Sequence, residues 1–92
     1  MYKRNDKITY IIVTWNNEKE IEECLSTIER YSPGYSKIIV VDNQSKDCTT
    51  QIINKKYHTV ELIESSTNLG FAAANNLALE KVSTPYICYL NP

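Results

Sequence analysis

Asp42 stands where the apolar run Ile38-Ile39-Val40-Val41 ends and the polar turn Asn43-Gln44-Ser45-Lys46-Asp47 begins. A continuous β-branched run reads as a strand buried on both faces, so this carboxylate falls at the carboxyl edge of a parallel sheet, where open α/β folds bind ligands. Trp15 ends a second such run, Ile8-Thr9-Tyr10-Ile11-Ile12-Val13-Thr14. A carboxylate can accept the imide N–H of a uracil or thymine ring, and an indole offers a flat face to a base or an edge to a ribose. The two together could read a pyrimidine. Each alone has a plainer use, the Trp as core packing and the strand-end acid as a turn former.

An acid after the second strand is also where a dinucleotide-binding domain holds a ribose. That fold needs GxGxxG in its first turn so that backbone can approach a pyrophosphate. Here the turn is Thr14-Trp15-Asn16-Asn17-Glu18, and the only glycines are Gly34 and Gly70. A phosphate-binding P-loop is excluded for the same reason.

These residues need elements to position them. The run from Ile8 to Thr14 predicts a first strand. Asn17 followed by Glu20 has the spacing of an N-cap with its reciprocating acid, and Ile21, Leu25 and Ile28 then recur on one helical face, with Cys24, to about Tyr31. Ser32-Pro33-Gly34 stops that helix. A second strand runs from Lys37 to Asp42, and Ser45 or Asp47 can cap a second helix through about Tyr57, with Ile52 and Ile53 toward the sheet. Residues 59–64 alternate polar and apolar, which suits an edge strand. After the loop Ser65-Ser66-Thr67-Asn68-Leu69-Gly70, Phe71, Ala74, Leu77, Ala78 and Val82 mark a third helix that Thr84-Pro85 closes. Tyr86 to Leu90 is a fourth strand, with Tyr86 and Tyr89 as packing residues at its flanks.

Alternating strands and helices imply right-handed crossovers, hence an α/β fold of three layers, α/β/α, around a parallel sheet of about four strands. With the third strand at an edge the order is 3-2-1-4. The crevice should then be bounded by Thr14-Trp15-Asn16, Asp42 and Asn91.

Composition bounds the rest. The 92 residues, 42% hydrophobic and 23% charged, suit one compact domain, 1–92, with a polar N-terminal extension at 1–7. Ten basic against eleven acidic residues give a net charge of −1 without a basic stripe, so nucleic acid is not an expected partner. The short apolar runs fit neither a bilayer span nor a signal peptide, and a cytoplasmic location is expected, at most at the inner face of the membrane through an acceptor. Cys24, Cys48 and Cys88 are odd in number and widely spaced, so reduced, packed thiols are expected rather than a disulfide framework or zinc site. His58, the only histidine, follows the second helix away from the rim.

Four stretches in succession, Ile11-Ile12-Val13-Thr14-Trp15-Asn16-Asn17, Ile39-Val40-Val41-Asp42-Asn43-Gln44-Ser45-Lys46-Asp47, Asn68-Leu69-Gly70-Phe71-Ala72-Ala73-Ala74-Asn75-Asn76 and Leu90-Asn91-Pro92, resemble the N-terminal motifs of family 2 glycosyltransferases. Order and spacing both match from Ile8 onward, and the forms look most like the branch that includes bacterial rhamnosyltransferases. The resemblance implies the N-terminal half of a GT-A, Rossmann-like domain, and inverting transfer of a sugar from a nucleoside diphosphate to an acceptor hydroxyl, assisted by Mg or Mn. It implies that Thr14, Trp15, Asn16 and Glu18 line the nucleoside pocket, with Trp15 where the family usually has Tyr. Asp42, beside Asn43, would contact the base; Ser45 and Asp47 would support it or cap the second helix. Asn68, Gly70 and Asn75 would shape the floor near ribose and diphosphate.

Asn91 falls at the first position of the family's DxD-like element, whose last acid, the metal ligand in relatives, would lie beyond Pro92. A neutral amide supplies no charge to a divalent cation, so the metal site is incomplete in this chain, and the family's catalytic base belongs to a later half of the domain. The expectation is a truncated fragment that binds a nucleoside-diphosphate sugar, with pyrimidine favoured, and is inactive alone. The acceptor of the full-length enzyme would be a carbohydrate or lipid-linked. A non-catalytic nucleotide-binding or oligomerising module is the alternative, with a homo-oligomer formed through the exposed edge of the fourth strand. Asp42→Ala is expected to remove nucleotide binding and spare the fold.

Overall fold

The computed structural model describes residues 8–32 and 37–92. The polar extension at 1–7 and the Pro33-Gly34 helix stop fall outside them. The elements are β1 (Ile8–Thr14), α1 (Ile21–Tyr31), β2 (Lys37–Asp42), α2 (Thr49–Lys56), β3 (Glu61–Glu64), α3 (Phe71–Leu79) and β4 (Tyr86–Leu90). The four strands form one sheet in the order β3-β2-β1-β4, every neighbouring pair parallel. The expected order 3-2-1-4 and three-layer α/β/α architecture are therefore observed.

Period-two alternation along the strands divides the core into two faces. Ile12, Ile38 and Val40 pack with Ile21, Leu25 and Ile28 of α1 and Ile53 of α2. On the opposite face Ile11, Ile39 and Val41 meet Ala74 and Ala78 of α3. Burial on both sides explains the unbroken Ile-Ile-Val-Val of β2, each fully buried side chain contributing roughly 1.5–3 kcal/mol relative to exposure. The small residues of α3 let it lie close against the sheet. The register of β2 on β1 sets Thr14 beside Asp42 at the carboxyl edge.

Several boundaries differ from expectation. Asn17 does not cap α1 with its side chain; its carbonyl accepts the Glu20 and Ile21 N–H groups at 3.0 and 2.9 Å, while its amide nitrogen donates to Glu20 Oε1 at 3.0 Å. The two residues are coupled, but side chain to side chain. α2 begins at Thr49 with Ser45 turned away, and Asp47 Oδ1 instead accepts the Thr49 N–H at 3.0 Å. α3 ends at Leu79, short of Thr84-Pro85, because the chain tightens into turns in which Lys81 and Val82 donate to Ala78 and Leu79. Val82 still reaches the core from outside the helix. β3 is shorter than expected, starting at Glu61. Tyr86 and Tyr89 are 63% and 49% exposed, not packed, because among the described residues β4 has a neighbour on one side only. Cys48 is also exposed rather than packed.

Candidate functional site

The carboxyl ends of β1 and β2 release two loops, residues 15–20 and 43–48, which are tied together through polar side chains. Asn16 adopts φ 54°, a left-handed conformation that Asn tolerates better than most residues. In that conformation its N–H donates to Ser45 Oγ and its Oδ1 accepts the Lys46 N–H, both at 2.8 Å. The Glu18 N–H donates to Asp47 Oδ2 at 3.1 Å. Thr49, fully buried, accepts the Asn17 N–H at 3.0 Å and donates to Asp47 Oδ1 at 2.5 Å. Burial presses the Asp47 pKa upward, but the hydrogen bonds from Thr49 and Glu18 outweigh it and hold the carboxyl below its ordinary value.

Asp42 lies beneath this lattice, 2% exposed. Its Oδ1 accepts from Thr14 Oγ1 at 2.9 Å and Ser45 Oγ at 2.5 Å, and its Oδ2 accepts the Ser45 N–H at 2.8 Å. The carboxylate thus joins β1, β2 and the loop that follows. Asn43, 3% exposed, does the same for the loop before α3. Its Oδ1 accepts the Leu69 N–H at 3.0 Å and its Nδ2 donates to the Gly70 carbonyl at 3.1 Å. Gly70, at φ 80° and ψ 172°, then turns the chain into α3, its N–H held by Asn68 Oδ1 at 2.9 Å.

These three loops enclose a cleft of about 250 Å³ on the α3 side of the sheet. Thr14 and Asn43 are buried at its base, whereas Trp15 and Phe71, 56% and 59% exposed, stand at its mouth with Asn68 and Gly70. Of the residues singled out in the sequence, the structure gathers Thr14, Trp15, Asn43, Asn68 and Gly70 here. Asp42, Ser45, Asn16 and Glu18 form the framework behind it. Asn75 is half-buried further along α3 and does not line the cleft.

Asn91 is not brought to this cleft. The chain leaves β4 on the α1 side, where Asn91 borders a larger cavity of about 540 Å³ with Tyr10 and Glu20. The crevice expected between Thr14, Asp42 and Asn91 is therefore two separate concavities on opposite faces. Glu20 and Glu23 line the same cavity as Asn91, but among the described residues no group of three or more His, Cys, Asp or Glu could hold an ion. The donor set present does not fit Mg or Mn.

Val13 and Asn17 also line the cleft without having been singled out in the sequence, and Phe71 and Thr49 are further contributors that it did not mark. Helical spacing puts Phe71 on the buried face of the third helix, yet it stands at the cleft mouth; its place directly after the helix-entry glycine is the available signal. Thr49 looked like an ordinary helix residue. Its position two after Asp47, the spacing of an Asx turn, could have identified it.

Among the described residues no helix is long and apolar enough to cross a membrane. Residues 9–92 match the family described as Glycosyl transferase family 2. The teichoic acid poly(glycerol phosphate) polymerase of Staphylococcus epidermidis is 32% identical over 90 residues, covering 94% of this chain and 12% of the polymerase. The structure is similar to S. aureus TarS 1-349 in complex with UDP, with a TM-score of 0.83 and 26% identity over 92% of this chain and 27% of that one. It is also similar to a mannosyltransferase from Pyrobaculum calidifontis in complex with GDP-Man and Mn2+, with a TM-score of 0.73 and 27% identity over 88% of this chain and 25% of that one. This chain thus spans about a quarter or less of the length of these relatives.

Proposed function

The chain belongs to glycosyl transferase family 2, and on that premise we propose that it forms the nucleotide-sugar-binding side of an enzyme transferring a sugar from a nucleoside diphosphate to an acceptor hydroxyl. The observation that carries the reading is the cleft itself: an exposed indole above a buried polar base, at the carboxyl edge of β1 and β2. Trp15 stacks on the base or ribose. Thr14, Asn43, Asn68 and Gly70 present hydroxyl, amide and backbone groups to the rest of the nucleotide, with Asn75 behind them. The TarS complex with UDP supports a pyrimidine, and the mannosyltransferase complex keeps GDP in the comparison.

Asp42 is assigned the base contact together with a structural one. Its two oxygens already accept three hydrogen bonds, so reading an imide N–H uses the remaining lone pair or one released by Ser45. Asn16, Glu18, Ser45 and Asp47 hold the loops that carry Trp15. In a longer enzyme Mg or Mn would need carboxylate ligands additional to Asn91, and no step is assigned to a metal here. A cytoplasmic site of action and a carbohydrate or lipid-linked acceptor belong to the same proposal.

Calorimetric titration with UDP, dTDP and GDP, with UDP- and dTDP-sugars beside them and with and without Mn, tests it. Weak, saturable binding with pyrimidine preferred is expected. Absence of binding by every nucleotide at millimolar concentration would remove the reading. Binding by this chain without acceptor-dependent release of nucleoside diphosphate is expected on either reading; the same outcome in a longer chain that contains this one would favour the non-catalytic module.

A further inference from the structure

Trp15 is the one tryptophan of the chain, and more than half of it is exposed, so packing alone does not fix the indole over the cleft. Its backbone is what holds it. The Trp15 N–H donates to Asn17 Oδ1 at 2.8 Å, and the next residue, Asn16, is tied to the 43–48 loop through both its N–H and its side chain. With the peptides on either side anchored, the direction of the Trp15 Cβ is set, and the indole is left only its few staggered rotamers.

Asn17, half-buried in the cleft wall, uses every polar group it has. Its carbonyl accepts from the start of α1, its Nδ2 donates to Glu20 Oε1 at 3.0 Å, its Oδ1 takes the Trp15 N–H, and its own N–H donates to Thr49 Oγ1 at 3.0 Å. The amide can be oriented one way only, because its oxygen must face the Trp15 N–H and its nitrogen the Glu20 carboxylate. Thr49, the first residue of α2, is fully buried and does not line the cleft. Its hydroxyl has a single proton, which goes to Asp47 Oδ1, so a lone pair is left for the Asn17 N–H. Asp47 Oδ2 returns to the same loop by accepting the Glu18 N–H at 3.1 Å. Removing a buried hydroxyl engaged in both senses leaves the Asn17 N–H facing no acceptor.

We propose that Asn17 and Thr49 are positioning residues for Trp15. The hydrogen bonds that run from Asp47 through Thr49 and Asn17 to the Trp15 N–H fix the stacking platform from the start of α2, so nucleotide affinity depends on a hydroxyl that no ligand touches. The inference rests on the nucleotide-binding reading and adds what holds the platform in place. A platform held before the nucleotide arrives needs no ordering on binding, whereas a loosened one loses affinity by the freedom it must then give up.

Calorimetric titration of the 92-residue chain with UDP should show Thr49→Val and Asn17→Ala each weakening binding about fivefold, with circular dichroism unchanged. Thr49→Ser, which keeps the hydroxyl, should stay within about twofold of wild type. Trp15→Ala should weaken binding about thirtyfold through lost stacking, and adding Thr49→Val or Asn17→Ala to it should cost nothing further, because both act through the indole. Asn17→Ala leaves the backbone bonds of Asn17 in place and carries the same cycle if Thr49→Val does not fold. Without nucleotide, the fluorescence anisotropy of Trp15 should reveal nanosecond motion in Thr49→Val and Asn17→Ala that wild type and Thr49→Ser lack. Additive losses in the cycle, or anisotropy decays equal to wild type in these variants, overturn the proposal. A wild type that binds no nucleotide at millimolar concentration removes the nucleotide reading, and the anisotropy then decides by itself whether the relay holds Trp15.

Discussion

Thr14 and Asp42 lie in register on β1 and β2, and Thr14 Oγ1 donates to Asp42 Oδ1 at 2.9 Å with both residues at most 2% exposed. A carboxylate so placed is a structural member of the sheet edge whatever else it contacts. Asp42→Ala, expected from the sequence to spare the fold, would strand the Thr14 and Ser45 hydroxyls and the Ser45 N–H. Each buried polar group left unsatisfied costs about 1–3 kcal/mol, so the melting temperature should fall by roughly 5–20 °C. Asp42→Asn, which keeps an acceptor for Thr14, should fall less and separates base recognition from stability. An unchanged melting temperature in Asp42→Ala would show that these hydrogen bonds contribute nothing net.

Asn43 uses its amide in both senses, accepting from Leu69 and donating to Gly70. Asn43→Asp keeps the first bond and sets a carboxylate against the Gly70 carbonyl. Hydrogen exchange at Leu69 and Gly70 should accelerate well before the core strands respond, and nucleotide affinity should drop with it. Protection equal to wild type would mean that the loop is held by other contacts.

Gly70→Ala isolates backbone strain. A Cβ there meets nothing within 4 Å, so no clash opposes it, yet φ 80° with ψ 172° is a region only glycine adopts readily. A cost of about 1–3 kcal/mol in urea unfolding is expected, and Gly70→Asn should gain little because the angles are not those of a left-handed helix.

Acid should loosen the lattice between the two loops. The Asp47 pKa is lowered in the fold, so its contribution to stability is present above the unfolded value of about 4 and is lost as pH falls through the lower folded value. Asp47→Asn should be less stable than wild type at neutral pH, and the gap should close below pH 4. Parallel melting curves across that interval would rule out this linkage.

Trp15, 56% exposed at the cleft mouth, should report ligand directly. Saturating UDP is expected to change its emission, and Trp15→Phe should weaken binding about threefold to tenfold through loss of stacking area. Emission indifferent to every nucleotide would remove Trp15 from the site.

The amino-acid sequence by itself determined the order of elements, the parallel sheet with β3 at its edge, and the motifs at the ends of β1 and β2. It could do so because hydrophobic period and turn chemistry are local properties: the Ile-Ile-Val-Val run of β2 can be satisfied only between two helical layers. Tertiary structure alone decided what the polar residues do. Whether Asp42 faces a ligand or Thr14, whether Asn43 grips residues 68–70, and whether Asn91 shares the cleft all depend on contacts between segments 26 or more residues apart. Phe71 left its expected buried place, and Val82 kept its own from outside the helix, for the same reason. Helical spacing places a side chain on a face, but where the helix begins and ends, and what the neighbouring loop covers, decides whether that face is buried.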